Sequence, residues 1–318
     1  MKHISKLLLI SFILFSCTNK IDAYKILQYN QASTTYITKN RNGYFHNRNY
    51  FKSKDNIDLF EQSWIPENSD KVLIIMHGLK DHSSRYEAFA QKLVKNNISV
   101  YAFDLRGHGY SRGEKVWVNS FDEYIDDLDL FYKRIKEKEK NKKIFIMGHS
   151  MGGAIATLFA MEKKPEINSL ILSAPALKVG KDISEFKIGL VNFLSGVFPH
   201  LGLLELDDNG FSRDKKVIED MKKDPLIYQS NGAAKTANEL LKSLVKINSK
   251  ISDFNYNFIV LHGTDDKITN PEGSDELYKK SISQKKEIKK YKGFYHDLLH
   301  EPNNEIVYDD IYNWIANN

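Results

Sequence analysis

The residues best placed to do chemistry are Gly148-His149-Ser150-Met151-Gly152. Four apolar residues, Ile144 to Met147, precede them as a buried strand, and Ala154 to Met161 follows as a helix. Ser150 therefore sits at the apex of a tight turn with a glycine on each side. Such a turn holds its serine in a strained backbone, and bulkier flanking residues would collide with the strand and the helix. The hydroxyl is presented at a helix N-terminus, where backbone N–H groups favour negative charge. Glycine and serine are common turn residues, so the pentapeptide alone says little. Its place between this strand and this helix marks Ser150 as a nucleophile.

Gly-x-Ser-x-Gly in that setting is the nucleophile elbow of α/β-hydrolases. An acyl-transfer serine also needs a base, a group that orients the base, and donors for an oxyanion. In that fold the chain order is Ser, then Asp or Glu, then His. Of ten histidines, only His296 and His300 follow the strand at Phe258 and its acidic turn. His296 comes directly after a strand, in a loop opened by Gly293, and is taken as the base. His300 is read as a surface or supporting residue. Asp265 and Asp266 both lie in the loop after Phe258 to Leu261. Adjacent side chains point different ways, so one of the two meets His296, and spacing does not choose between them. The oxyanion donors are backbone N–H groups, those of Met151 and of Leu79 in His77-Gly78-Leu79. Asp104, Arg106, His108 and Ser111 precede the nucleophile, the wrong order for a triad, and are assigned to loop support. His149 is read as structural. His77 and His82 have no convincing metal spacing, and no metal or cofactor is expected.

These residues need a scaffold. With 318 residues, 42% hydrophobic and 27% charged, the chain suits one large globular domain with an insertion. Strands are expected at Val72 to Met76, Ser99 to Phe103, Leu170 to Leu172, Phe258 to Leu261 and Ile288 to Tyr291, besides the elbow strand. A hairpin is expected about Lys54-Asp55-Asn56. Helices are expected at Arg85 to Lys95, Phe121 to Lys136 and Ile306 to Ile315. The alternation argues for the α/β class: a mostly parallel sheet with helices on both faces. Between Lys178 and Asp253 the rhythm breaks into helical patterns with no convincing strand, and a structureless loop of that length is implausible. This is expected to be a helical cap, 178–253, over the C-terminal edge of the sheet, between core segments 48–177 and 254–318. Phe186, Leu190, Phe193, Leu194 and Val197 share one helix face, and Leu240, Leu241, Leu244 and Val245 another. The first face either packs on the body or forms an apolar lid.

The N-terminus reads as a targeting segment. Lys2 and Lys6 precede the apolar run Leu7 to Phe15, which is too short to span a bilayer. Leu14-Phe15-Ser16-Cys17 resembles the lipobox of bacterial lipoproteins. The expectation is a signal peptide over 1–16, lipidation at Cys17 and a polar tether over 17–47, with the protein anchored in the cell envelope and facing the periplasm or exterior. Cys17 is the chain's single cysteine, so no internal disulfide exists. The net charge of +5 falls to +3 without residues 1–16, too mild to imply nucleic acid, and no nucleic-acid motif is present.

His77 to Tyr86, Asp104 to Ser111 and Gly148 to Gly153 together resemble the monoacylglycerol lipase family, also called the lysophospholipase-type or serine-aminopeptidase-like α/β-hydrolases. The resemblance continues through Ser212-Arg213-Asp214, Asp224-Pro225-Leu226, Gly263-Thr264-Asp265-Asp266 and Gly293-Phe294-Tyr295-His296. It implies Ser150 as nucleophile, His296 as base and Asp266 as the acid, with Leu79 and Met151 as oxyanion donors. It also implies a cap that approaches membranes and admits acyl chains. The activity implied is cleavage of a monoacylglycerol or lysophospholipid ester through an acyl-enzyme. The partners implied are a glycerolipid or lysolipid substrate and a membrane surface. The alternatives are a short-chain carboxylesterase or thioesterase, and a non-catalytic lipid-binding surface lipoprotein.

Overall fold

The structure, a computed structural model, describes residues 36–39, 43–180 and 184–318. Cys17, the segment 1–16 and the tether up to residue 35 lie outside the described residues. The strands are β1 (Tyr36–Lys39), β2 (Tyr44–Lys52), β3 (Asp58–Pro66), β4 (Lys71–Met76), β5 (Ile98–Phe103), β6 (Lys143–His149), β7 (Ser169–Ser173), β8 (Gly202–Leu204), β9 (Gly232–Ala233), β10 (Phe258–Gly263) and β11 (Lys286–Tyr291). Nine of them form one sheet in the order β1-β2-β3-β5-β4-β6-β7-β10-β11. From β5 to β11 every pair is parallel, and β1, β2 and β3 join antiparallel at one edge.

The helices are α1 (Glu87–Val94), α2 (Asp122–Lys138), α3 (Met151–Lys163), α4 (Glu185–Val197), α5 (Lys215–Lys223), α6 (Ala234–Lys250), α7 (Pro271–Lys280) and α8 (Glu305–Ala316). The central strands carry apolar runs such as Val72 to Met76, Ile144 to Met147 and Phe258 to Leu261 because both faces of the sheet are covered. Successive residues serve opposite cores. Val72, Ile74, Ile144, Ile146, Phe258 and Val260 point into one, with Tyr124 and Leu128 of α2 and Ala154 and Leu158 of α3. Leu73, Ile75, Phe145, Met147, Ile259 and Leu261 point into the other, with Phe89 and Leu93 of α1 and Val307 and Ile311 of α8.

Three expectations change. The sheet begins earlier than the tether boundary allowed: β1 and Tyr44 to Asn47 of β2 lie within 17–47. This stretch is polar in composition, yet Tyr44 is buried, and His46 stacks on Trp64 with ring centroids 4.7 Å apart. His46 also lies 3.0 Å from Gln62 Oε1. Pairing with β3 hides these polar groups without an apolar run to announce it. The cap is not wholly helical, since β8 and β9 pair within it. Strands of two and three residues have no periodicity to detect. In α6 the buried stripe is Ala234, Ala237, Leu244 and Ile247, while Val245 is exposed.

The apolar face of α4 points outward. Phe186 is 80% exposed and Phe193 64%, and Leu190, Val197, Phe198 and Leu201 are exposed as well. Its less exposed side carries Ile188, Val191 and Leu194 with the buried Ser195, and Asn238 of α6 donates through Nδ2 to Asn192 Oδ1 at 3.1 Å and to Ser195 Oγ at 2.9 Å. Packing on the body is thus not the use of the Phe186–Val197 stripe.

Candidate active site

Strand β6 delivers Ser150 at the end of its buried run, and α3 begins at the next residue. The Ser150 backbone has φ 54° and ψ −122°, a conformation that non-glycine residues rarely hold. Close packing imposes it. A Cβ on Gly148 would lie 2.4 Å from Gly152 O, and one on Gly152 would lie 2.3 Å from Met76 O. Both flanking positions therefore require glycine. Backbone bonds fix the turn: Ser150 N–H donates to Ser173 O at 3.0 Å, and Ala176 N–H donates to Ser150 O at 3.0 Å. The serine side chain makes no capping bond to α3.

His296 is fully buried in the loop after β11. Its ring lies 4.8 Å from that of His149, centroid to centroid, and 5.6 Å from that of Phe211 in the cap. The cap segment holds this loop through the backbone, Asp297 N–H donating to Phe211 O at 2.7 Å. His296 Nδ1 stands 2.8 Å from Asp266 Oδ2. A carboxylate only accepts, so Nδ1 carries the proton and Nε2 keeps its lone pair. That Nε2 is buried with no hydrogen-bond partner among the described residues, and the Ser150 hydroxyl does not bond to it in this structure. Nucleophile–base bonds are commonly long before substrate arrives.

Asp266 is the meeting point of the loop after β10. Oδ2 faces His296 Nδ1, accepts from Thr269 Oγ1 at 2.8 Å and lies 3.0 Å from His262 Nε2. Oδ1 accepts from Ile268 N–H at 2.8 Å and Thr269 N–H at 3.0 Å. Burial pushes the carboxyl up, but His296 and the bonds from both histidines override it and hold it far below the carboxylate range. Asp265 is exposed and, among the described residues, its side chain accepts only from Thr264 Oγ1, at 2.8 Å. His262 and Thr269 went unnoticed in the sequence. His262 is the penultimate residue of β10, four residues before Asp266, a spacing that brings both to the same loop mouth.

The loop after β4 carries Leu79. A Cβ on Gly78 would lie 2.9 Å from Ser150 Cβ, so this backbone passes directly over the nucleophile. His77 braces it, Nδ1 lying 2.7 Å from Gly78 O and Nε2 accepting from Leu105 N–H at 2.8 Å. Among the described residues, Leu79 N–H and Met151 N–H donate to no backbone acceptor. Arg85 ties this loop to the base loop: Nη1 donates to Asp81 Oδ1 at 3.0 Å and Nη2 to Asp297 Oδ2 at 2.6 Å. His300, placed outside the triad, lies 2.8 Å from Asp297 Oδ1 and 3.0 Å from Arg85 O in the same network.

The Asp104 cluster supports the loops. Asp104 Oδ1 accepts from Ser83 N–H at 2.7 Å and Oδ2 from Tyr110 N–H at 2.8 Å. Arg106 pairs with Asp127, Asp55 and Glu123.

Three buried histidines beneath the site carry a pH consequence. Burial pushes His108 down to about 3 and His149 down to about 4, and it lowers His77 as well. Each is neutral in the fold and takes a proton more readily when unfolded. Their contribution is full above about 6.5 and is lost as pH falls toward the folded values, at roughly 1.4 kcal/mol per unit for each group. Tm is therefore expected to drop steeply between pH 6.5 and 4. A Tm that stays flat over that range contradicts neutral buried imidazoles.

The sheet order and the strained serine between β6 and α3 define an α/β-hydrolase. The family model described as serine aminopeptidase, S33, matches residues 67–303, and the chain belongs to that family. It is 30% identical to the monoglyceride lipase of Rattus norvegicus over 263 residues, 81% of this chain and 86% of that one. It is 28% identical to the monoacylglycerol lipase of Mycolicibacterium smegmatis over 254 residues, 80% and 91% of the two chains. Among solved structures, the monoacylglycerol lipase of Paleococcus ferrophilus superposes with a TM-score of 0.74 at 27% identity, covering 81% of this chain and 98% of that one.

Proposed function

We propose that the protein is a carboxylic ester hydrolase that cleaves monoacylglycerol through an acyl-enzyme on Ser150. The observation that carries this reading is the buried His296, oriented by Asp266 and left with a free Nε2 beside the elbow. Ser150 Oγ attacks the ester carbonyl as His296 Nε2 takes its proton. The N–H groups of Leu79 and Met151 hold the oxyanion, each of such donors being worth about 10²–10³ in rate. Asp266 keeps the imidazole in the productive tautomer and stabilises its charged form. His296 then protonates the departing glycerol, and a water deprotonated by the same ring releases the fatty acid. The likeness to monoglyceride lipases over most of both chains supports the substrate class.

The outward aromatic face of α4 supports a lipid surface as its partner. A phenylalanine left in water forgoes about 1.5–3 kcal/mol of burial, and the C-terminal end of the same helix opens on a hollow of about 630 Å³ lined by Leu194, Val197, Phe198, Pro199, His200 and Leu201. The test is hydrolysis of 1-oleoylglycerol in vesicles and of p-nitrophenyl butyrate in solution. Phe186→Asp/Phe193→Asp is expected to lower the vesicle rate about tenfold or more relative to the butyrate rate. Equal effects on both would remove the lipid-surface role. Inactivity of the native protein on monoacylglycerol would remove the proposed reaction.

The reading extends to lipidation at Cys17 and an envelope location, supported by Lys2, Lys6 and the Leu14-Phe15-Ser16-Cys17 pattern. A clickable fatty acid is expected to label the expressed protein and to be lost in Cys17→Ser. Labelling that survives the substitution rejects it.

A further inference from the structure

Lys80 directly follows Leu79 in the loop over the nucleophile, and the reaction proposed above gives it no task. Its backbone is left-handed, with φ 54°, where a residue bearing a Cβ is disfavoured and glycine is the relaxed choice. Its stem is buried, the residue being only 6% exposed. The ammonium makes no hydrogen bond or ion pair with any described residue, yet it is not sealed from accessible space.

Neighbouring carboxylates are committed elsewhere. Asp81 Oδ1 accepts from Arg85 Nη1 and His82 N–H, and its Oδ2 accepts from Tyr86 Oη. Asp224, which the cap brings to the same loop, lies 2.9 Å from His82 Nε2 through Oδ2 and accepts from Leu226 N–H through Oδ1. The loop thus carries a lysine whose ammonium has no carboxylate partner among the described residues, one residue from a backbone donor with no acceptor of its own. An ammonium on a buried stem that no carboxylate engages is open to an anionic ligand, and strained backbone gathers at ligand-binding positions. Both features fall on one residue.

We infer that Lys80 is an anion subsite that receives a phosphate on the glycerol of the substrate. This inference rests on the ester hydrolysis proposed above. With the ester carbonyl directed at Leu79 N–H, the glycerol lies on the leaving-group side of the same loop. A phosphate at its far carbon meets the ammonium there as a point-charge contact. The preferred class is then a monoacylglycerol phosphate rather than uncharged monoacylglycerol, and Lys80 is the residue that sets the preference.

The test uses the purified full-length protein and measures kcat/KM for 1-oleoylglycerol 3-phosphate and for 1-oleoylglycerol, presented in the same neutral mixed micelles. The native protein is expected to favour the phosphate. The ratio is expected to fall on the order of 10- to 100-fold in Lys80→Met and in Lys80→Gly, the loss of a charged hydrogen bond, and to be largely kept in Lys80→Arg. Lys80→Gly relaxes the left-handed backbone, so a fall shared by both variants is not a folding defect. A ratio unchanged in both overturns the subsite. So does competition by inorganic phosphate with no preference between the two lipids, which assigns Lys80 to free phosphate. Inactivity of the native protein on both lipids rejects the hydrolase reading itself.

Discussion

Ser150→Ala is expected to lower kcat on monoacylglycerol by about 10⁵–10⁶-fold and to abolish labelling by a fluorophosphonate. The substitution removes only the oxygen that attacks. Alanine keeps the Cβ against which Gly78 is packed, and the serine side chain makes no capping bond that the helix would lose. Stability should therefore move by no more than about 0.5 kcal/mol. The backbone donors at Leu79 and Met151 remain, so some catalysis over water should survive the loss of the nucleophile. A variant that retains a tenth of the native rate would show that the hydroxyl is not the attacking group.

How far the site could be read from sequence depended on how local its causes are. Strand β6 and the elbow were legible because the signal is contiguous: four apolar residues, then glycines whose absent Cβ atoms are demanded by contacts under 3 Å. The parallel sheet was legible because strands buried on both faces read as unbroken apolar runs. The antiparallel edge was not. His46 and Gln62 satisfy each other across strands, and Tyr44 hides in a polar stretch, so burial there depends on a partner sixteen or more residues away. The meeting of His262 and Thr269 on Asp266 was hidden although both lie within four residues of it, since an unremarkable histidine and threonine acquire their role only when the loop closes. On α4 the helical period was correct and its use was not readable. Periodicity states that five apolar residues share a face, and only the fold shows which side faces inward, burying Ser195 and leaving Phe186 and Phe193 exposed.

Spacing left Asp265 and Asp266 equal, and their environments separate them sharply enough for a paired test. Asp266→Asn is expected to lower kcat by about 10⁴-fold, while Asp265→Asn should stay within about twofold of the native enzyme. In the native fold the Asp266 carboxylate accepts from two imidazoles, a hydroxyl and two backbone N–H groups. An amide placed there has one acceptor oxygen and turns its NH₂ toward groups that must donate. If it faces His296, the ring must accept at Nδ1 and carry its proton on Nε2, which removes the lone pair that would take the serine proton. Part of the loss should also appear as stability. The Asp266 pKa is depressed in the fold, so its contribution is present above the unfolded value near 4 and is lost only as pH falls below it. At neutral pH that contribution is fully in place, and the substitution removes it. A lowered Tm together with the loss of rate is thus expected for Asp266→Asn. Among the described residues the Asp265 side chain meets the Thr264 hydroxyl alone and otherwise solvent, so neither quantity should move in its variant. Loss of rate in Asp265→Asn with Asp266→Asn active would reverse the assignment and require the base loop to close on the neighbouring side chain.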